Sequence, residues 1–341
     1  MNLSTTKKSD APTMTAAVLD EFGSALRVRS LSRPTAEPGT VLVRVAASGI
    51  NPLDTKIRTG SAAHAQVTPP AVLGLDVAGV VTEVGADVDS FSVGDEVFGL
   101  AGGVGEVPGS LAEYVAVDAD LLALKPASLS MTEAAALPLS VITAWEGLVD
   151  RARVRQGQSV LIHGGAGGVG HIAVQLAVAR GATVFATGSG PDLDRIRQLG
   201  AVPIDYRATS VEQYVSSATH GEGFDVIFDT IGGATLDASF GAVRRYTGHV
   251  VSILGWGTHS LAPLSFRGAT YSGVFTLLPL LTGVGRAHHG EILRAAAQMA
   301  EAGRLRPILD PTAYDLGSVM DAHAAVSSGS ASGKVVVTMG G

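Results

Sequence analysis

The chain has 341 residues, of which 46% are hydrophobic and 16% are charged, with a formal net charge of −7 and no cysteine. This length favours two domains over a single core, and the composition excludes a disordered protein. The negative charge disfavours nucleic acid as the main partner, and the lack of cysteine excludes disulfides, thiol nucleophiles, thiolate zinc sites and iron–sulfur clusters.

Residues 1–12 form a short polar segment that we expect to be a flexible tail. The segment contains Lys7 and Lys8 but lacks the apolar stretch of a secretory signal. The most apolar late stretch, 274–284, is too short to span a bilayer and is interrupted by Pro279. We therefore expect no membrane partner and a cytoplasmic location.

The first third of the chain is predicted to form short β-strands separated by turns. Three segments rich in β-forming residues and bounded by Gly, Pro or Asp are 41–45, 77–84 and 111–117. Their irregular spacing indicates a partly open barrel rather than a repeat. A helix is predicted over 132–137, with Ser130 or Thr132 as its N-cap.

The central feature is a short apolar strand, a glycine-rich turn and a helix in direct succession. The strand is predicted over 160–163 and the helix over 172–179, and between them Gly165, Gly167 and Gly170 satisfy the pattern G-x-G-x-x-G. The first glycine permits the turn, the second lets the backbone approach a pyrophosphate, and the third allows the helix to pack closely on the strand. The helix N-terminus favours an anion. This context predicts dinucleotide binding rather than a purely structural turn.

After this loop, strand and helix signals alternate, which is typical of βαβ units and a parallel sheet. The predicted strands are 183–187, 224–229 and 249–254, and the predicted helices are 193–199 and 236–243. A further helix over 290–302 and a closing strand over 334–338 complete the chain. The spacing alone does not assign the closing strand to a sheet.

Several sequence blocks, in the same order, resemble the zinc-free medium-chain dehydrogenase/reductases, in particular the quinone oxidoreductase and enone-reductase group. The blocks are 47–54, 74–79, 93–97, 164–170 and 333–337. The resemblance implies an α/β fold with a GroES-like β-barrel catalytic domain (13–138 and 279–341) and a Rossmann NAD(P)-binding domain (139–278) with a doubly wound parallel sheet. It also implies NADPH in the cleft between them, a small conjugated carbonyl or quinone as substrate, and a homodimer.

A zinc site is not expected. Zinc alcohol dehydrogenases of the same superfamily have Cys and His ligands at two of these blocks, where this chain has Asn51 and Leu75, and these cannot complete the tetrahedron of a catalytic zinc. Without a Lewis acid, reduction of an isolated ketone leaves a localised alkoxide, whereas a quinone or an enone spreads the developing charge over a conjugated system. Quinone oxidoreductases often have tyrosines between positions 51 and 70, and this chain has none.

The sequence therefore predicts a zinc-independent NADPH-dependent reductase of quinones or of the conjugated C=C bond of enones and enals. Two alternatives stay open: an enoyl-thioester reductase of a biosynthetic pathway, and a non-catalytic NADPH-binding sensor or structural protein. A basic groove for CoA or a carrier protein would support the first alternative, and the sequence has no clear one.

Asn51 and Lys56 are the predicted catalytic residues. The resemblance places Asn51 in the substrate cleft as a donor to a carbonyl oxygen; the alternative is an Asx-type turn that bonds local backbone, the role we assign to Asp54. Enone reductases of the family have a lysine in the Lys56 block near the cofactor ribose, where it could bond ribose hydroxyls or relay a proton. A solvated surface lysine is the alternative. Arg58 and His64 are weaker candidates.

Small neutral residues after the second cofactor strand favour NADPH. An NAD enzyme usually has Asp or Glu there for the ribose 2′-OH, whereas Gly188 and Ser189 leave room for a 2′-phosphate. NADPH-preferring relatives add a tyrosine, matched by Tyr206, and a lysine at a position where this chain has Asp192. Arg195 could compensate for the missing lysine.

The resemblance extends the cofactor site to segments at the expected carboxyl edge of the parallel sheet, and it places Thr143 beside the nicotinamide. The predicted cofactor residues are Thr143, Gly165, Ala166, Gly167, Gly168, Val169, Gly170, Gly188, Ser189, Tyr206, Thr230, Ile231, Gly255, Phe275, Thr276 and Lys334. Trp256 is a candidate for substrate stacking, with a core or dimer contact as the alternative. The adjacent His288 and His289 lack a third ligand nearby and are interpreted as loop residues rather than a metal site.

Overall fold

A computed structural model describes residues 12–340, so the predicted tail lies outside the described residues apart from Pro12. The first eight strands are β1 (Thr13–Leu19), β2 (Arg27–Ser32), β3 (Thr40–Ile50), β4 (Ala71–Val72), β5 (Asp76–Val84), β6 (Glu96–Leu100), β7 (Tyr114–Asp118) and β8 (Leu122–Leu124). Strand β1 pairs with β2 and β4, and β3 pairs antiparallel with β5 and β7. The predicted segments 41–45, 77–84 and 111–117 are confirmed as β3, β5 and β7, with shifted bounds.

The pairing of strand β3 with β5 contains two register shifts, and such bulges bend a sheet towards closure. Gly79 of β5 lies against the carbonyl of Arg44, where a Cβ would overlap the neighbouring backbone. This close approach explains a glycine in a strand that is otherwise rich in β-branched residues. Strand β3 ends at Ile50, so the next residue, Asn51, lies at the end of this strand.

Helix α1 (Pro52–Arg58) lies between β3 and β4. After β8, helices α2 (Met131–Ala135) and α3 (Pro138–Trp145) lead to the second half of the chain, and α3 is followed by a π-helical turn over Glu146–Arg151. The N-cap of α2 is Ser130 rather than Thr132. The Ser130 hydroxyl accepts from Glu133 N (3.2 Å) and the Glu133 carboxylate accepts from Ser130 N (2.8 Å), which is a capping box. Helix α3 packs on the next helix along the chain and on β5 and β6.

A six-stranded parallel sheet follows. Its strands are β9 (Ser159–Ile162), β10 (Thr183–Gly188), β11 (Val202–Asp205), β12 (Val226–Asp229), β13 (His249–Ser252) and β14 (Thr270–Gly273), and the accompanying helices are α4 (Gly170–Ala179), α5 (Asp192–Gln198), α6 (Val211–Thr219), α7 (Gly233–Ala242) and α8 (Ala262–Ser265). The spatial order is β11-β10-β9-β12-β13-β14, the 3-2-1-4-5-6 order of a dinucleotide-binding sheet. The predicted doubly wound sheet is confirmed, and the order reverses between β9 and β12.

The C-terminal part returns to the barrel. It contains α9 (Leu278–Thr282), α10 (Arg286–Glu301), β15 (Tyr314–Asp315), α11 (Val319–Ser328) and β16 (Val335–Thr338). Strand β16 pairs antiparallel with β3, with Val335 opposite Ile50. The closing strand therefore joins the barrel sheet, as the resemblance implied. Over residues 12–340, no helix has the length and apolar character needed to cross a membrane.

Candidate active site

A cavity of about 1040 Å³ lies between the barrel edge and the carboxyl ends of the parallel strands. Its lining comes from the segments that follow all six parallel strands, from α3, and from barrel residues around α1. Such a crevice at the carboxyl edge of an α/β sheet is where ligands bind. It brings together the predicted cofactor residues except Gly165, Gly170 and Gly255.

Those three glycines allow close packing behind the cavity wall. A Cβ at Gly165 would meet Ala186, one at Gly170 would overlap the carbonyl of Gly164, and one at Gly255 would overlap the Tyr271 hydroxyl. Their contribution to the site is therefore the shape of the segments that line it.

The glycine loop is held by the neighbouring strand β10. Gly164 N donates to Thr187 Oγ1 (3.0 Å), Gly165 N donates to Thr187 O (2.9 Å), and Gly167 N donates to Gly164 O (2.9 Å). Gly164 has a φ of 70°, which a side chain would disfavour. Gly167 faces the cavity, and a Cβ there would lie 3.2 Å from Gly164 O, so its surface is open to a ligand that approaches the backbone.

His163 comes directly before this loop and bonds the segments around it. It was not predicted as a site residue. Its Nδ1 lies 3.3 Å from Thr187 Oγ1 and its Nε2 lies 3.2 Å from Ser239 Oγ, while Thr230 Oγ1 donates to His163 O (2.7 Å). Burial lowers the pKa of His163 to about 4, against the opposing effect of Asp229, so the ring is neutral at neutral pH. A polar residue at the end of an apolar strand, directly before the glycine loop, was the available signal.

The end of the cavity beyond β10 contains Ser189, Asp192 and Tyr206. A hydrogen bond with Ser189, followed by interactions with Arg207, lowers the pKa of the exposed Tyr206. The Arg207 guanidinium lies 5.8 Å from the centroid of the Tyr206 ring. Arg207, which the sequence analysis did not select, is therefore the cation beside this tyrosine.

Arg195, proposed from sequence to compensate for the missing lysine, is not among the lining residues. Its guanidinium donates to the carbonyl of Ser332 (2.8 Å) and lies 3.7 Å from Asp192. The side chain thus ties α5 to the C-terminal segment.

The opposite end of the cavity is built by α3 and by the segment that follows β14. Thr143 and Thr276 are buried, and their hydroxyl oxygens lie 3.0 Å apart. Thr143 Oγ1 also donates to Leu139 O (2.6 Å). The two predicted residues therefore form one hydrogen-bonded pair at the cavity wall.

A buried polar cluster lies beside this pair. Asn51 Nδ2 donates to Asp76 Oδ2 (2.9 Å), Lys334 Nζ donates to Asn51 Oδ1 and lies 3.6 Å from Asp76 Oδ2, and Leu139 N donates to Asp76 Oδ1 (2.7 Å). The Asn51 side chain thus bonds charged groups from distant parts of the chain, while the residue is also the N-cap of α1. The turn role belongs to Asp54, whose carboxylate accepts from Asn51 N (2.8 Å).

Burial dominates the electrostatics of this cluster. It raises the pKa of Asp54 to about 7. The backbone N–H of Asn51 and the charge of Lys334 oppose this rise, and the charge of Asp76 adds to it. Burial also raises the pKa of Asp76, against the opposing effects of Lys334 and the Asn51 amide. Asp76 was not selected from sequence, although an acidic residue within an apolar strand was a signal for it.

Lys56 and three aromatic rings complete this end of the cavity. Lys56 is exposed on α1. The His64 and Trp256 rings stack with centroids 5.1 Å apart, and Phe275 meets both rings edge-on at 5.9 and 6.0 Å. Trp256 is 53% exposed, so it is not a core residue, and its stacking partner within the chain is His64.

The residues at the two zinc-ligand blocks do not fit a metal. The Asn51 amide is bonded to Asp76 and Lys334, and Leu75 is a fully buried hydrocarbon side chain. Among residues 12–340, no three His, Asp or Glu side chains are arranged to hold a metal ion. The interpretation of His288 and His289 as loop residues is wrong, because both lie in α10, where they contact Asp150 and Glu146 (2.9 and 3.1 Å).

Two family models match the chain. The alcohol dehydrogenase GroES-like domain matches residues 37–127, and the zinc-binding dehydrogenase model matches residues 199–337. Among characterised proteins, the chain is 36% identical to 2-methylene-furan-3-one reductase of Solanum lycopersicum, covering 93% of this chain and 77% of the relative. It is 35% identical to the chloroplastic NADPH-dependent alkenal/one oxidoreductase of Arabidopsis thaliana, covering 95% and 79%.

Several solved structures are similar to nearly the whole chain. An alcohol dehydrogenase superfamily protein from Novosphingobium aromaticivorans superposes with a TM-score of 0.94 at 56% identity, covering 96% of this chain and 99% of that one. The quinone oxidoreductase from Coxiella burnetii gives 0.82 at 29% identity, with coverage of 96% and 99%. The CurK enoyl reductase gives 0.84 at 27% identity, with coverage of 96% and 100%.

Proposed function

The chain belongs to the medium-chain dehydrogenase/reductase superfamily, and from that membership and the contents of its cavity we propose that it is an NADPH-dependent reductase. Its proposed substrates are enones and enals, reduced at the conjugated C=C bond, or quinones, and no metal takes part. One observation carries the proposal. A single cavity joins an open glycine loop to a buried pair of hydrogen-bond donors, Asn51 and Lys334.

The cavity residues fit a dinucleotide in the order in which they lie. The open backbone at Gly167 suits a pyrophosphate, and Ser189 and Tyr206, with Arg207 beside them, suit a 2′-phosphate. Thr143 and Thr276 form the wall at the other end, where the nicotinamide would lie; when bound, the cofactor supplies a hydride.

Asn51 and Lys334 are placed to stabilise negative charge on the substrate oxygen. Reduction of an enone adds a hydride at the β-carbon and a proton at the α-carbon, and negative charge develops on the oxygen between these two events. The buried ammonium of Lys334 and the amide of Asn51 are already oriented by Asp76, and preoriented donors of this kind contribute on the order of 10²–10³ in rate each. Lys56, at the cavity edge, is the proposed source of the proton or its relay through ribose hydroxyls.

The likeness to an enoyl reductase keeps an enoyl thioester as the second candidate substrate. The substrate end of the cavity is lined by Leu53, Trp256 and Phe275, which favours a neutral conjugated carbonyl over a long, highly charged thioester. A non-catalytic sensor would bind the cofactor without turnover. The predicted domain bounds (13–138 with 279–341, and 139–278) and the cytoplasmic location are retained as part of the proposal.

We also propose a homodimer formed along β14, the outer strand of the parallel sheet. An outer strand leaves backbone groups free to pair with another chain. Two rings close to this strand, Tyr246 and Phe266, are each 85% exposed, and Tyr246 packs against Gly268, just before β14.

The test of the function is NADPH oxidation, followed by absorbance, against quinones, enones, enals and enoyl thioesters, with and without a metal chelator. We expect turnover of at least one quinone, enone or enal, unaffected by the chelator and slower with NADH. Turnover of thioesters alone would establish the second candidate. Cofactor binding without turnover of any substrate would establish the sensor.

A further inference from the structure

His171 is a buried histidine in the first turn of α4 that has no part in the chemistry proposed above. Its Nδ1 lies 2.8 Å from Gly167 O in the glycine loop, and the backbone N–H of Ile308 points at its Nε2 (3.1 Å). Because that N–H can only donate, Nε2 is the acceptor, and Nδ1 carries the hydrogen that is donated to Gly167. Burial lowers the pKa of His171 to about 4, which agrees with this neutral tautomer.

Ile308, whose backbone N–H donates to the His171 ring, is paired with the backbone of Lys334. Lys334 N donates to Ile308 O (2.7 Å), and Asp310 N donates to Lys334 O (2.9 Å). The Lys334 side chain then runs along the glycine loop, with Cδ 3.6 Å from where a Cβ of Gly168 would lie, and its ammonium reaches Asn51. An unbroken series of hydrogen bonds thus joins the loop to the segment that carries the lysine.

We infer that His171 is a positioning residue. It fixes the glycine loop, and with it the cofactor pyrophosphate, relative to Lys334. The inference rests on the proposed cofactor site. In the proposed complex the loop backbone would hold the pyrophosphate, and the Lys334 ammonium, next to Asn51, would contact the substrate oxygen. His171 helps to fix the distance between them, because its two ring nitrogens join the glycine loop directly to the segment that is paired with Lys334.

Gln175, one turn further along α4, provides a matched control. Its side chain donates to Arg306 O (2.9 Å) and accepts from Arg306 N (2.9 Å). It therefore binds the same helix to the same returning segment with two hydrogen bonds, and its further bond goes to the helix backbone at His171 O (3.0 Å), not to the glycine loop. A general role in docking that segment would make the two residues equivalent.

The test compares His171→Leu and His171→Asn with Gln175→Leu by calorimetric titration with NADPH and with adenosine 2′-monophosphate. The second ligand has the adenosine and the 2′-phosphate but no pyrophosphate. We expect His171→Leu to raise the Kd for NADPH roughly 5–10-fold, the effect of one or two lost hydrogen bonds, and to leave the Kd for adenosine 2′-monophosphate unchanged. The Asn variant, which keeps a donor towards Gly167 but loses the acceptor for Ile308, should show a smaller rise in the same direction. The Gln175 variant should change neither constant.

Steady-state kinetics give an independent readout, since the KM for NADPH should rise in the His171 variants while kcat at saturating NADPH stays near that of the unmodified protein. Equal effects of the His171 and Gln175 variants, or a parallel loss of affinity for both ligands, would overturn the inference and leave the proposed function intact. If the unmodified protein binds no NADPH, both the proposed function and this inference are wrong. If His171→Leu does not fold, the Asn variant and the kinetic measurement decide the matter.

Discussion

The side chain of Asn51 bonds two charged groups, Asp76 and Lys334, that come from distant parts of the chain. The sequence offered an Asx turn or a substrate donor for this residue. It could not offer the buried cluster, because neither partner is local and the pairing depends on β16 returning to β3. Thr143 and Thr276 illustrate the same limit: the resemblance placed each in the site, but only the fold brings their hydroxyl groups to 3.0 Å.

Lys56→Met should lower turnover of the best enone substrate about 10²-fold, the usual contribution of a positioned proton donor. Because Lys56 is exposed, the melting temperature and the Kd for NADPH should be unchanged. Lys56→Arg, which keeps the positive charge but donates a proton poorly, is the control. Normal turnover by the Met variant would show that Lys56 is a surface lysine and that solvent supplies the proton.

At the scale of elements, the unit formed by β9, the glycine loop and α4 was predictable because all of its signals are local: an apolar strand, spaced glycines and an apolar helix. Strands β11 and β14 were missed. Each has four residues, and their sequences, VPID and TYSG, contain proline, aspartate, serine or glycine, which disfavour strands locally. Pairing with β10 and β13 outweighs that preference.

Two glycines of this loop should respond differently to substitution. Gly167→Val places a side chain on the open face of the loop and should raise the Kd for NADPH by about 10²-fold or more, since the backbone can no longer approach the pyrophosphate. The melting temperature should fall less than for a substitution at Gly170, because the new Cβ would make one tight contact, 3.2 Å from Gly164 O, without the overlap found there. Gly170→Ala should instead destabilise the fold, because its Cβ would overlap the carbonyl of Gly164. Calorimetry and thermal unfolding measure both effects, and unfolding of the Gly167 variant would contradict the assignment.

At the scale of the whole molecule, several histidines are buried in the folded protein, and protonation of their rings destabilises it. Burial lowers the pKa of His163, His171 and His323 to about 4. The unfolded chain, whose histidines have an ordinary pKa of about 6.5, binds more protons between pH 6.5 and 4, so these residues reduce stability as the pH falls through that window. Asp54 acts in the opposite direction, because its pKa of about 7 in the folded protein exceeds the ordinary value of 3.8 for an aspartate.

His323→Leu isolates one of these groups. His323 is fully buried on α11, and its two ring nitrogens have no hydrogen-bond partner within the described chain. Leucine removes the proton uptake that accompanies unfolding. Between pH 8 and pH 4.5, the free energy of unfolding of the variant should therefore rise by about 2 kcal/mol relative to that of the unmodified protein. Urea unfolding at the two pH values measures the difference. An equal change in stability at both pH values would show that His323 does not titrate on unfolding.

The pairing of β16 with β3 has a consequence for how the molecule is made. Neighbouring strands of the parallel sheet lie much closer together in the chain, the most distant pair being β9 and β12, whereas Val335 pairs with Ile50, near the opposite end of the protein. Long-range pairings form late, because the entropy of closing the intervening chain is lost before the contacts compensate for it. The local signals of the glycine loop do not depend on that pairing, whereas the Asn51–Lys334 pair can form only when β16 has joined β3. A chain in which β16 has not yet joined β3 would have the glycine loop but not the Asn51–Lys334 pair, and it would therefore be unable to reduce a substrate.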